Sequence, residues 1–245
     1  MFPAAQNSAE GKVALITGAG RGIGRALALR LGESGFKLAL AARSAEELAE
    51  TRRLSGLAPA DSLIVLLDLA QNDAAQALLQ TTVERYGRID VLVNNAGWAP
   101  ARQPLVKTSE SDVDRILAVN LRAPIALARL AAIQMIAQGA GTIVNIASAA
   151  GRQPRGGEAV YAAAKAGLIA FSHACFEEWR KHGVRVAVVL PGLVDTALVP
   201  PNKRLNRSAM LRPDQVATAV AQIIASPPGL WPLEVTVLPQ HDPLA

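Results

Sequence analysis

Val13-Ala-Leu-Ile-Thr-Gly-Ala-Gly-Arg-Gly-Ile-Gly24 is the stretch on which the fold of this 245-residue chain turns. Val13 to Ile16 are apolar and read as a buried strand, and a glycine-rich turn follows from Thr17. Ile23, Ala26, Leu27 and Leu31 then recur at helical spacing, so the unit is strand, tight turn, helix. Gly18, Gly22 and Gly24 let backbone approach a ligand where a Cβ would clash. Gly20 and Ile23 lie in the same turn. The unpaired N–H groups of the new helix face that ligand with the positive end of its dipole, which favours a phosphate or pyrophosphate. An ordinary strand-to-helix connection has the same outline, and the GxxxGxG spacing departs from the commoner dinucleotide GxGxxG. No Lys-Ser/Thr pair follows the turn, which argues against a nucleotide-triphosphate loop.

Working outward, Lys37 to Ala42 reads as a second strand, ending where a dinucleotide fold reads the ribose. An acid there would bond both ribose hydroxyls, whereas this chain has Ala42 and then Arg43. A guanidinium pairs with a 2′-phosphate in forked geometry, and Arg21 is a second cation within reach. Either arginine alone is an ordinary surface residue; together they point to NADP(H). A helix over Ala45 to Leu54 leads to a strand over Leu63 to Leu67, followed by Asp68 and Leu69. Asp68 either accepts a bond from an adenine amino group or caps the next helix. A helix over Asp73 to Tyr86 precedes a strand over Asp90 to Val93 and then Asn94-Asn95-Ala96-Gly97. Those small and amide residues permit close contact with a ribose, or the amides simply stitch neighbouring strands.

Two helical segments are expected over Glu110 to Val119 and Leu121 to Gln138, with Asn120 between them as a polar bridge or a holder of water. A strand over Thr142 to Ala147 ends at Ser148. Alternating strands and helices indicate an α/β chain with a doubly wound parallel sheet. The expected organisation is a short tail over residues 1–11 and one domain from 12 to 245.

With 51% hydrophobic residues, the chain has ample material for a buried sheet. The single cysteine, Cys175, forbids an internal disulfide and fits a reducing compartment. Met1 to Gly11 lacks the basic start and apolar stretch of a secretion signal. No run is expected to approach the ~18 apolar residues of a membrane span, so the expected location is cytoplasmic, without membrane partners. The net charge of +5 admits anionic partners, but 4% aromatics offer little to stack bases, which argues against nucleic acid. Lys203, Arg204, Arg207 and Arg212 form the densest basic cluster, either a solvated loop or a segment facing an acidic cofactor or substrate. No metal site is expected.

Tyr161-Ala-Ala-Ala-Lys165 puts a phenol and an ammonium on one helix face, one turn apart. Free tyrosine titrates near ~10, and a fixed positive charge nearby is expected to lower that value. Tyr161 would then protonate a carbonyl oxygen as hydride arrives from NADPH, with the Ser148 hydroxyl holding that oxygen. A Tyr-xxx-Lys pair by itself is commonly structural, so its meaning comes from the motifs around it.

Thr17 to Gly24, Asn94 to Gly97, Asn120, Ser148, Tyr161-xxx-Lys165 and Pro191-Gly-Leu-Val-Asp-Thr196 occur in the order and spacing of the short-chain dehydrogenase/reductase family, which the chain resembles from Lys12 onward. The resemblance implies a single-domain Rossmann fold with seven parallel strands and a catalytic tetrad of Asn120, Ser148, Tyr161 and Lys165. It also implies that Lys165 bonds the nicotinamide ribose, that Asn120 orders a water, and that Pro191, Gly192, Val194 and Thr196 contact the coenzyme. Arg21 and Arg43 match the family's NADPH-preferring pattern.

The 3-oxoacyl-carrier-protein reductases look similar around Tyr161 to Leu168, but their Asp-Gly-Gly ending is replaced by Leu233 to Pro239. Their asparagine before the Pro-Gly strand end is Ala187, and their carrier-docking basic residues align roughly with Ile133 and His182. Residues 193–212 should cover a small carbonyl substrate, with Leu198, Val199, Pro200, Pro201, Leu205, Met210 and Leu211 apolar among basic neighbours. Trp98 and Arg152 to Arg155 are further candidates for the pocket rim. Helices over Leu121 to Gln138 and Ala162 to Lys181 are apolar beyond one stripe, which suggests a homodimer or homotetramer. The leading expectation is an NADPH-dependent ketone reductase; carrier-linked 3-oxoacyl reduction and a non-enzymatic NADP(H)-binding regulator or scaffold are the alternatives.

Overall fold

Residues 9–199 and 205–244 are described by a computed structural model. Lys203, Arg204, Pro200 and Pro201 therefore lie outside the described residues, as do the first eight residues of the expected tail. Seven strands form one parallel sheet: β1 Val13–Thr17, β2 Lys37–Ala42, β3 Ser62–Leu66, β4 Val91–Asn94, β5 Gly141–Ile146, β6 Val184–Pro191 and β7 Glu234–Val237. Their order across the sheet is β3-β2-β1-β4-β5-β6-β7. The connecting helices are α1 Gly22–Glu33, α2 Ala45–Ser55, α3 Ala74–Tyr86, α4 Glu110–Leu117, α5 Ala123–Gln138, α6 Ala159–Trp179 and α7 Pro213–Ile224. The sequence-based strands and helices all form, with ends shifted by a few residues.

The continuous apolar strands follow from burial on both faces. On β1, Ala14 and Ile16 face one core layer while Leu15 faces the other. The first layer packs Leu27, Ala28 and Leu31 of α1 and Val216 and Val220 of α7 against the sheet. The second packs Leu78 of α3, Leu127 and Met135 of α5, and Trp179 of α6 against the opposite face. Each fully buried leucine contributes roughly 1.5–3 kcal/mol. Polar residues also cross the sheet. The Asn94 amide donates to Asn145 Oδ1 at 2.9 Å and to the Pro124 carbonyl, and Asn145 donates to Ser172 Oγ. Of the two readings of Asn94, stitching is the one realised.

The chain winds outward from β1 through β2 and β3, then returns to lay β4 on the other side of β1. That reversal opens a crevice at the carboxyl ends of β1 and β4, where ligands collect in open α/β sheets. Thr17 Oγ1 closes the floor by accepting the N–H groups of Asn95 and Ala96, both at 3.0 Å.

Two expectations are corrected. Helices α4 and α5 are not separate segments, because a π-helical turn at Ala118–Arg122 joins them through Asn120. The rod Glu110–Gln138 and the helix Ala159–His182 are, by length and composition, apolar enough to cross a membrane, with mean hydropathy 1.6 and 1.3. Both pack one side along the sheet, with 50% and 39% of their apolar windows buried.

Candidate active site

The turn between β1 and α1 is shaped by glycine where the backbone demands it. Gly18 and Gly22 have φ of +64° and +54°, and a Cβ at Gly24 would overlap the Gly18 carbonyl. Arg21, at the N-cap of α1, makes no side-chain cap, and no acid occupies the first turn. The helix's first N–H groups are thus left for a ligand, and Arg21, Gly22 and Ile23 line the adjoining cleft. This is a cradle that fits the pyrophosphate of a dinucleotide. Arg25 and Thr51, which the motif reading missed, fix it from below: Arg25 Nε donates to the Gly20 carbonyl at 3.0 Å and Thr51 Oγ1 to the Ala19 carbonyl at 3.0 Å.

The ribose end carries mixed charge. Arg43 is exposed and makes no ion pair among the described residues. Arg21 instead meets a carboxylate absent from the motif reading, with Nη1 lying 3.2 Å from Glu47 Oε1. A Cβ at Gly20 would sit 2.9 Å from Glu47 Cβ, so Gly20 is the space into which Glu47 leans. Asp68 does not cap α3, whose N-cap is Asp73. Its carboxylate accepts the Ala70 N–H at 3.0 Å and pairs with Arg115 at 2.9 Å. Partial burial pushes its pKa up, but the Ala70 bond, Arg115 and the nearby Arg43 outweigh this and hold it below the usual value. Leu69 beside it is buried, so only its backbone can meet a coenzyme. Asn95 donates its amide to the Thr17 and Gly18 carbonyls, and a Cβ at Gly97 would lie 3.9 Å from Lys165 Nζ and 3.2 Å from Asn120 Oδ1.

Gly97 therefore lies beside Asn120 and Lys165, and it lines one cleft together with Ser148, Tyr161 and Lys165. Lys165 is buried one turn beyond Tyr161, and its Nζ donates to the Ile146 carbonyl at 2.8 Å and lies 5.7 Å from the Tyr161 ring centroid. An ammonium has three donors, so two remain for a sugar and the phenol. Ser148 lies just beyond β5, and its Oγ accepts the Ala150 N–H at 3.1 Å, which leaves the hydroxyl hydrogen to point toward the Tyr161 phenol. Asn120 is buried behind them. Its Nδ2 donates to the Trp98 and Ile116 carbonyls and its Oδ1 accepts the Trp98 N–H. Of its two readings, the side chain realises the polar bridge.

The expected acidification of Tyr161 is not present in this state. Burial pushes the phenol up to about 12; the Ser148 hydroxyl opposes this and Glu158 reinforces it. Lys165 is itself drawn down to about 8 by burial. Desolvation wins because packed protein covers Lys165 and most of Tyr161, and for the lysine it is the whole cause.

The cleft has a volume of about 1030 Å³ and runs from Arg21 and Ile23 past Ser148, Tyr161 and Lys165. Pro191, Gly192, Val194 and Thr196 line it as well. Other assignments change. Arg207 does not face a ligand: its Nε donates to Asp195 Oδ1 at 2.8 Å, and its Nη atoms reach the Thr196 and Val199 carbonyls. Arg212 pairs with Asp214. Trp98 packs under Arg115, whose guanidinium carbon lies 5.4 Å from the ring centroid, and Arg152 pairs with Glu234 at 2.7 Å outside the cleft. Gln153 and Arg155 do line it.

The short chain dehydrogenase family model matches residues 12–206. The chain belongs to the short-chain dehydrogenase/reductase family. Levodione reductase from Leifsonia aquatica is 33% identical over 221 residues, covering 89% of this chain and 80% of that protein. A metagenomic short-chain oxidoreductase solved in complex with NADP superposes with a TM-score of 0.84 at 36% identity, covering 96% of this chain and 100% of the other. The 3-ketoacyl-(acyl-carrier-protein) reductase of Brucella melitensis, complexed with NADH, gives 0.86 at 28% identity, covering 95% and 99%. The protein is thus an oxidoreductase of this family, in which neighbours bind NADP or NADH.

Proposed function

We propose that the protein reduces a ketone to an alcohol with NADPH, using Tyr161 as proton donor. The observation that carries this is the convergence of Ser148, Tyr161 and Lys165 on one cleft that continues into the glycine turn. A bound reduced nicotinamide supplies the hydride. Ser148 turns its hydroxyl hydrogen from the phenol to the substrate carbonyl oxygen and holds that oxygen beside Tyr161. As the carbonyl carbon is reduced, its oxygen becomes a far stronger base than a phenolate. Tyr161 can therefore hand over its proton even with a raised pKa, and Lys165 holds the resulting phenolate. Asn120 positions the Trp98 loop against the π turn and so fixes the wall next to Gly97.

The preference for NADPH rests on Arg21 and Arg43, and the NADP-bound neighbour supports it. Levodione reductase among the relatives supports a free carbonyl compound as substrate. A second reading, carrier-linked 3-oxoacyl reduction, is favoured by the Brucella neighbour. Against it, Ile133, which aligns with a carrier-docking cation, is an exposed apolar residue at 59%. We assign the protein to the cytoplasm, as a homodimer or homotetramer. The test is coenzyme oxidation against a panel of ketones, diketones and 3-oxoacyl thioesters, with NADPH and NADH compared. The expected result is turnover of free ketones with NADPH that falls by at least about 10³-fold in Tyr161→Phe. Tight NADPH binding without turnover of any compound would instead identify a regulator, and thioesters turned over far better than ketones would favour the second reading.

A further inference from the structure

The segment after β7 is unaccounted for by the site described so far, yet it lines the same cleft. Strands β6 and β7 are parallel, with Pro191 opposite Val237, so the chain leaves β7 at the catalytic end of the sheet. The Gly192 N–H donates to the Val237 carbonyl at 2.8 Å. A Cβ at Gly192 would sit 3.0 Å from Pro239 Cδ and 3.1 Å from Leu238 Cδ2, so the segment comes down directly on the Pro-Gly corner. It then crosses the cleft, where Leu238, His241, Asp242 and Leu244 face the same space as Leu198 and Leu205.

One hydrogen bond anchors it to the cover, and a second shapes its own turn. The Pro243 carbonyl accepts the Asn206 N–H at 2.8 Å, and Asp242 Oδ1 accepts the Leu244 N–H at 2.9 Å. Pro243 is buried although its neighbours His241 and Asp242 are exposed, as expected of an anchor between solvated residues. Asn206 also precedes Arg207, whose guanidinium grips Asp195, Thr196 and Val199. Asp195, Thr196 and Val199, the Asn206–Arg207 pair and the segment after β7 are therefore linked to one another.

We infer that Leu238–Leu244 is the outer wall of the substrate pocket and that its grip on Asn206 limits the size of the carbonyl compound admitted. This rests on the ketone-reductase reading of the same cleft. An apolar wall discriminates by volume, because each extra methylene must either fill space or displace packed atoms.

The experiment uses the full-length protein, a variant ending at Gln240, and Leu244→Trp. Each is assayed with butanone and 1-tetralone at saturating NADPH, and amide hydrogen exchange is followed over residues 205–212. Ending the chain at Gln240 should raise the tetralone-to-butanone ratio of kcat/KM by about tenfold, and Leu244→Trp should lower it by a similar factor. Exchange at the Asn206 N–H should accelerate in the shortened chain, which has lost its acceptor. A ratio unmoved in both variants overturns the wall. Should the intact protein reduce neither ketone, the ketone-reductase reading fails separately. The exchange measurement then decides the wall: faster exchange at Asn206 supports the clamp, and unchanged exchange overturns it.

Discussion

Lys165 is a cation placed where water does not reach, with one carbonyl for company. Its pKa of about 8 in the folded protein lies below the ordinary 10.5, so between those values the unfolded chain binds more protons. Stability therefore rises with pH across that window, and below it the folded protein bears the whole cost of the charge, about 3 kcal/mol. Lys165→Met leaves the Ile146 carbonyl unpaired, which returns about 1 kcal/mol of that cost. The variant should thus melt higher than the parent at pH 7 without coenzyme, lose that advantage toward pH 10, and lose carbonyl reduction. Thermal melts at the two pH values check it, and a lower melting point at pH 7 would refute it. Glu47 poses a related conflict at the other end of the cleft, because its carboxylate holds the guanidinium that a 2′-phosphate would want. The pair is substantially exposed, so screening keeps the effect small. Glu47→Gln should tighten NADPH by about threefold and NADH by less, with the difference shrinking as salt rises. Fluorescence titration of both coenzymes measures this; equal tightening of the two would show that Glu47 does not compete with the phosphate.

Among the elements, the π turn at Ala118–Arg122 has the clearest division of labour. It turns Asn120 inward so that one amide ties the α4–α5 rod to both backbone groups of Trp98 and to Ile116. Asn120→Ala would orphan these buried groups at about 1 kcal/mol or more each, lowering the melting temperature by roughly 5–10 °C. A calorimetric scan should show that loss together with reduced kcat, whereas an unchanged melting point would mean that water replaces the amide. The chain announced Asn120 by its place among the motifs but not the π turn, since α5 is apolar on nearly every side and hides the phase shift of an extra residue. Strands such as Val13–Thr17 and Val184–Pro191 were legible because burial on both faces demands continuous apolar runs. Tyr161, Lys165 and Ser148 were legible because their spacing is local or falls at a strand end. Glu47, Arg25 and Thr51 were not, because their partners lie 26 or more residues away in sequence or belong to another element's backbone. The raised pKa of Tyr161 escaped for the same reason: burial is a property of the assembled pocket.

At the scale of the whole molecule, the unresolved tension is apolar surface on α5 and α6. Ile133 is 59% and Ile136 37% exposed on α5. On α6, Ala163, Ala166, Ala170 and Ala174 are all exposed and recur at spacings of three and four, which makes a shallow ridge along one side of the helix. Small residues let a second helix approach closely, and a two-fold axis would bring the ridge against its own copy. The proposed oligomer is built on this face. A residue near such an axis meets itself, so a charge introduced there is repeated across the contact with no counter-ion. Ala170→Arg should therefore sediment as a lighter species than the parent at micromolar concentration, while Ala174→Ser, which keeps the ridge low, should not. Tyr161 and Lys165 sit on the same helix as the ridge, so the lighter species should also show reduced kcat with the secondary structure intact by circular dichroism. A parent chain that sediments as a monomer would move the apolar face to some other partner, and an Ala170→Arg protein of unchanged mass would place the contact elsewhere on the molecule.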